Sequence, residues 1–108
     1  MSADSPTLKL DLPSEKIAEF CRRWRIIRLE VFGSALRADF RENSDVDLLA
    51  TYSLEAHWSL LDRVRMKYEL EALLGREVDL LNRRAMEKSG RGRAPAILAE
   101  AELVYAES

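Results

Sequence analysis

The stretch that most constrains this chain is Val31-Phe32-Gly33-Ser34, followed after a ten-residue spacer by Asp45-Val46-Asp47-Leu48-Leu49. An apolar run ends in a small-residue turn, and a second apolar run opens with two alternating acids. Strand side chains point to opposite faces with a period of two, so Asp45 and Asp47 share a face and Val46 lies on the other. Two close carboxylates repel unless positive charge sits between them. A divalent cation supplies that charge, and Mg²⁺ is commonly held by one or two carboxylates together with substrate phosphates.

A chain of 108 residues suits one domain. Residues 1–12 read as a loose lead-in and 13–108 as that domain. With 47% hydrophobic and 33% charged residues, the composition is that of a globular protein and excludes disorder. No apolar run reaches the length of a membrane span, and the N-terminus lacks the basic-then-apolar layout of a secretory signal. A cytoplasmic location is expected. The balance of 17 basic and 19 acidic residues is net acidic, so direct nucleic-acid binding is not expected. Cys21 is the only cysteine, which rules out an internal disulfide and leaves a small buried hydrophobe as its expected role.

The pattern along the chain alternates helix and strand. Pro13-Ser14-Glu15 opens a helix whose apolar face carries Ile17, Ala18, Phe20, Cys21 and Trp24. A strand over 28–32 ends at Gly33-Ser34, and a short helix begins at Ser34. A second strand runs from Val46 to Tyr52. The longest helical pattern spans about 56–74, with Leu60, Leu61, Val64, Tyr68, Leu70, Leu73 and Leu74 as its core stripe and Gly75 as its stop. A share of that stripe, at its exposed end, is open to a partner. A third strand covers 77–81, a helical turn 83–88, a basic loop 89–93, a last helix from Pro95 to about Glu100, and a short strand 103–105. The expected class is α/β (α+β): a small, mixed sheet packed with helices, although parallel and mixed pairing remain open.

Asp79 lies between Val78 and Leu80, and acids are disfavoured at strand centres. If the third strand neighbours the second, Asp79 joins Asp45 and Asp47. Three converging carboxylates hold one or two Mg²⁺ ions once phosphate oxygens complete the shell, the arrangement of two-metal nucleotidyl transfer. Gly33 permits close approach of backbone to phosphate, and Ser34 offers a hydroxyl donor. This is no Walker A loop, because the downstream Gly-Lys-Ser/Thr is missing. Plainer roles suit the other candidates. His57 reads as a helix-start or surface residue, Trp24 and Trp58 as core or interface anchors, and Lys88 to Arg93 as a solvated loop or a contact to the partner or the ATP tail.

Gly33-Ser34, the spacer and Asp45-Val46-Asp47 resemble the signature of the DNA polymerase β-like nucleotidyltransferase superfamily. The longer run from Phe32 through Phe40 to Ser44-Asp45-Val46-Asp47-Leu48-Leu49 is similar to its minimal nucleotidyltransferase (MNT) branch. The resemblance covers about 14–105 and implies a nucleotidyltransferase fold. It implies a Mg²⁺-dependent antitoxin of a HEPN/MNT toxin–antitoxin module, which transfers AMP from ATP to a tyrosine of a HEPN-domain toxin and forms a hetero-oligomer with it. By position, Asp45 and Asp47 would bind two Mg²⁺ ions. Asp79 would bind the catalytic one and help deprotonate the hydroxyl, while Gly33 and Ser34 hold the phosphates. Arg37 and Asp39 would brace the turn, with Arg37 also reaching phosphate. The chain is too short for the extra helical domain of antibiotic-modifying relatives, so a protein acceptor is expected. The alternative is an antitoxin that neutralises its toxin by binding alone.

Overall fold

The computed structural model describes residues 12–36 and 44–107. Arg37, Asp39 and the lead-in before Leu12 lie outside the described residues. The order is α1 (Ser14–Arg23), β1 (Ile26–Phe32), a 3₁₀ turn (Gly33–Leu36), β2 (Val46–Tyr52), α2 (Leu60–Leu74), β3 (Val78–Asn82), α3 (Arg83–Ser89), α4 (Ala94–Glu100) and β4 (Glu102–Ala106). The four strands form one sheet in the order β3-β2-β1-β4. β1 is antiparallel to β2 and β4, and β2 is parallel to β3, so the sheet is mixed. The parallel pair needs a long crossover, and α2 supplies it.

Register separates the two faces. Leu29, Val31, Leu48, Ala50, Val46 and Val78 share one face and are buried. Ile17, Phe20 and Cys21 of α1 and Met66 and Leu70 of α2 join them in the main core. The other face carries Glu30, Phe32, Asp47, Leu49 and Asp79. There α3 packs against β2, β3 and α4. Asp47 and Asp79 thus stand on the face away from the main core, which is why strands this apolar can carry acids.

α2 differs from expectation. It starts at Leu60, four residues later than the apolar pattern suggests. Ser59 caps it in a reciprocal box with Asp62, which fixes the start. Its inward residues are Met66 and Leu70, with Leu73 and Leu74 half-buried. Leu60, Leu61, Val64 and Tyr68 point to solvent. The helix is therefore apolar on two sides, and periodicity alone merged them into one stripe. Trp24 and Trp58 meet edge to face with ring centroids 5.1 Å apart, and Trp58 Nε1 donates to the Trp24 carbonyl at 2.9 Å. They anchor the junction of α1 with the segment before α2, as their plainer reading holds. His57 is exposed. Among the described residues, no helix is long and apolar enough to cross a membrane.

Candidate active site

Asp47 and Asp79 are register partners on the parallel strands β2 and β3. In-register residues on neighbouring strands share a face, with backbones about 4.8 Å apart. Asp47 is also the register partner of Phe32, the last residue of β1. The turn that follows Phe32 is therefore delivered directly beside Asp47. Gly33 takes a left-handed φ of +74°. A Cβ built there would collide with Asp47 Oδ2. Only glycine both adopts this backbone without cost and leaves the carboxylate its place.

Asp45 lies one residue before β2 and is exposed. Ser34 Oγ donates to its backbone carbonyl at 3.1 Å. The hydroxyl assigned to phosphate in the sequence thus ties the turn to the start of β2. The Gly33 amide donates to Glu100 Oε2 at 3.2 Å, across from the C-terminal end of α4. That amide can evidently serve an anion. Glu100 carries no sequence signal for this place, because 67 positions separate the partners and only the folded chain brings them together.

Glu30 is 3% exposed on the same face. Arg83 Nη1 reaches both of its carboxylate oxygens at 2.8 Å, and Arg83 Nε donates to Glu87 at 2.9 Å. These carboxylates hold the Arg83 guanidinium above its ordinary range, that of Glu87 most strongly. The pair spans from β1 across β2 to the start of α3 and fixes the end of β3 that follows Asp79. A charged residue in a strand flanked by apolar neighbours, Leu29-Glu30-Val31, was the available hint. On this face a groove of about 370 Å³ opens between Leu81, Met86 and Ala94. Leu81 is two residues beyond Asp79.

Among the described residues, no three His, Cys, Asp or Glu side chains are gathered tightly enough to hold a metal ion. The donors themselves are all carboxylates, the hard oxygen ligands that suit Mg²⁺ and its neighbours in hardness. Asp47 and Asp79 share a face across one ladder rung, and the glycine cradle keeps the Asp47 carboxylate beside the turn. The set fits a divalent cation completed by phosphate oxygens.

The nucleotidyltransferase-domain family model matches residues 14–104. The chain belongs to that family. It is 44% identical over 66 residues to a Methanocaldococcus jannaschii protein named as a candidate protein adenylyltransferase, covering 61% of this chain and 69% of that one. It is 40% identical over 72 residues to the protein adenylyltransferase MntA of Thermococcus cleftensis, covering 67% and 70%. A solved structure described as a candidate minimal nucleotidyltransferase is 37% identical, with a TM-score of 0.62 over 82% of this chain and 86% of that one. The MNT antitoxin complexed with a tri-AMPylated Shewanella oneidensis HEPN toxin shares the fold, with a TM-score of 0.58 at 16% identity over 86% of this chain and 69% of that one. The chain is thus a nucleotidyltransferase of the minimal branch, and its substrate is a nucleotide.

Proposed function

We propose that this protein is an antitoxin that transfers AMP from ATP to a tyrosine hydroxyl of a HEPN-domain toxin. The observation that carries the reading is the parallel register of Asp47 and Asp79, with the Gly33 turn packed against Asp47. The relatives named as adenylyltransferases and the AMPylated toxin in complex with an MNT antitoxin support the choice of nucleotide and acceptor. Residues 13–108 act as one domain in this reading, in the cytoplasm, and the working form is a hetero-oligomer with the toxin.

Asp45, Asp47 and Asp79 would hold the divalent metal, two Mg²⁺ ions at full loading. When bound, the metal supplies positive charge to the triphosphate and makes the acceptor hydroxyl more acidic. The protein's own groups do the rest. The Gly33 amide exchanges Glu100 for a phosphate oxygen, and the turn beside Asp47 sets the nucleotide's depth in the site. Arg37, close in sequence, adds a cation for the phosphates. Asp79 is exposed on the edge strand, where an incoming hydroxyl has access, and it takes the hydroxyl proton. The tyrosine oxygen forms its bond to the α-phosphorus as the bond to the bridging oxygen breaks. Pyrophosphate leaves with that electron pair. The apolar groove beside Leu81 offers a wall for an aromatic ring.

The test is transfer from labelled ATP and Mg²⁺ to the HEPN-domain protein encoded by the adjacent gene. The Asp45→Asn/Asp47→Asn variant is expected to lose at least about 100-fold in rate, roughly 2.7 kcal/mol of transition-state stabilisation. Equal labelling by wild type and variant would remove the catalytic claim. Full rescue of cells by the variant would favour neutralisation by binding alone.

A further inference from the structure

The exposed side of α2 has no use in the chemistry above. Leu60 is 78% exposed, Leu61 60%, Val64 36% and Tyr68 63%, so four apolar side chains within nine residues of one helix face water. Leu54, at 80%, lies just upstream. Scattered surface leucines are ordinary, but a row at helical spacing is the pattern of a helix that packs against something. A concavity of about 280 Å³ adjoins this face, lined by Leu54 and by Arg63 of α2 itself. Its other charged or titratable linings are Tyr52, His57 and Arg84, and no carboxylate lines it. Arg84 Nη1 donates to the Tyr52 carbonyl, a neutral acceptor.

We infer that this face docks a protein partner presenting an apolar helical surface with a carboxylate at its edge. The apolar side chains would lie along Leu61, Val64 and Tyr68, and the carboxylate would enter the notch between Arg63 and Arg84. A second copy of this chain is a poor occupant. Two copies related by a two-fold axis would bring the Arg63 notch and the exposed Arg65 of each to the same interface, with like charges opposed. With a second copy disfavoured, the occupant assigned to this face is the toxin, and the inference rests on the toxin–antitoxin reading. It also goes further. α2 covers the main core, on the opposite side of the sheet from Asp47 and Asp79. A toxin held there leaves the acid pair open, so holding and modifying use separate surfaces.

The experiment measures affinity for the adjacent-gene HEPN protein with wild type, Leu61→Ser/Val64→Ser and Arg63→Glu. All three positions are exposed, so melting temperature and ATP affinity are expected to stay at wild-type values. The serine pair is expected to weaken toxin binding at least tenfold. Arg63→Glu is expected to weaken it and to flatten its salt dependence. Wild-type affinity in both variants, or tighter binding by Arg63→Glu, overturns the inference while leaving the transferase reading intact. So does a wild-type homodimer that Leu61→Ser/Val64→Ser dissolves. Failure of wild type itself to bind the toxin defeats the toxin–antitoxin reading, and it shows in the first arm.

Discussion

Replacing Gly33 by alanine separates a backbone effect from a catalytic one. Gly33 sits at φ +74°, where a Cβ costs about 1–2 kcal/mol. Gly75, the left-handed cap of α2, sits at φ +68° and carries the same backbone cost. The two differ in what a methyl would meet. At Gly75 nothing lies within 4 Å, whereas at Gly33 the methyl runs into the Asp47 carboxylate. Asp47 can swing away, so the clash displaces a proposed ligand rather than unfolding the protein. For a domain of this size, 1–2 kcal/mol lowers the melting temperature by about 4–16 °C. That fall is expected in both variants. A carboxylate misplaced by about 1 Å costs on the order of 100-fold in rate. Pyrophosphate release, assayed well below both melting temperatures, should therefore collapse in Gly33→Ala and persist in Gly75→Ala. Equal rates in the two variants would refute the argument that the glycine exists to seat Asp47.

Arg83→Met leaves the buried Glu30 carboxylate with only the longer ion pair to Arg28 at 3.6 Å and is expected to cost about 2 kcal/mol by urea denaturation. Glu30→Leu added to it should recover most of the loss, because two apolar groups leave no buried charge. Stability should decline in acid for an identifiable reason. Backbone and side-chain hydrogen bonds from Ser59 hold the Asp62 carboxyl below its ordinary 3.8, and Lys67, then the Val78 amide, hold Glu71 below its ordinary 4.5. Carboxyls depressed in the folded state stabilise it above their ordinary values and lose that contribution as pH falls through the depressed ones. Asp62→Asn should shallow the acid limb of a melting-temperature profile as pH falls below the ordinary 3.8. Cys21, buried and with its thiol pushed up to about 12, should resist maleimide in the folded protein and react once urea unfolds it.

Much of this architecture was legible because its signals are local. The β2 span from Val46 to Tyr52 agrees with its alternation to the residue, since an apolar run with acids at its start has one extended solution. Gly75 stops α2 as a left-handed cap, as expected, and Gly90, read as part of a loop, does the same for α3. The family, too, is written in Gly33-Ser34 and Asp45-Val46-Asp47. The α2 stripe was misassigned for an equally physical reason. Solvent-facing leucines obey the same period as buried ones, and only packing reveals which side of the helix the sheet takes. β1 begins two residues earlier than its apolar pattern, because pairing of Ile26 with Tyr52 extends it.

The sequence by itself determined the elements and the residue types of the site, since turn, cap and alternation depend on neighbours along the chain. Tertiary structure decided what stands beside what. The parallel pairing of β2 and β3 set Asp79 next to Asp47, the end of β1 carried Gly33 to the Asp47 carboxylate, and α4 brought Glu100 to the Gly33 amide. Those contacts join positions as far as 67 residues apart, and no local propensity encodes them. They arise because burying one face of the sheet under α1 and α2 leaves a single register in which the acids stay on the other.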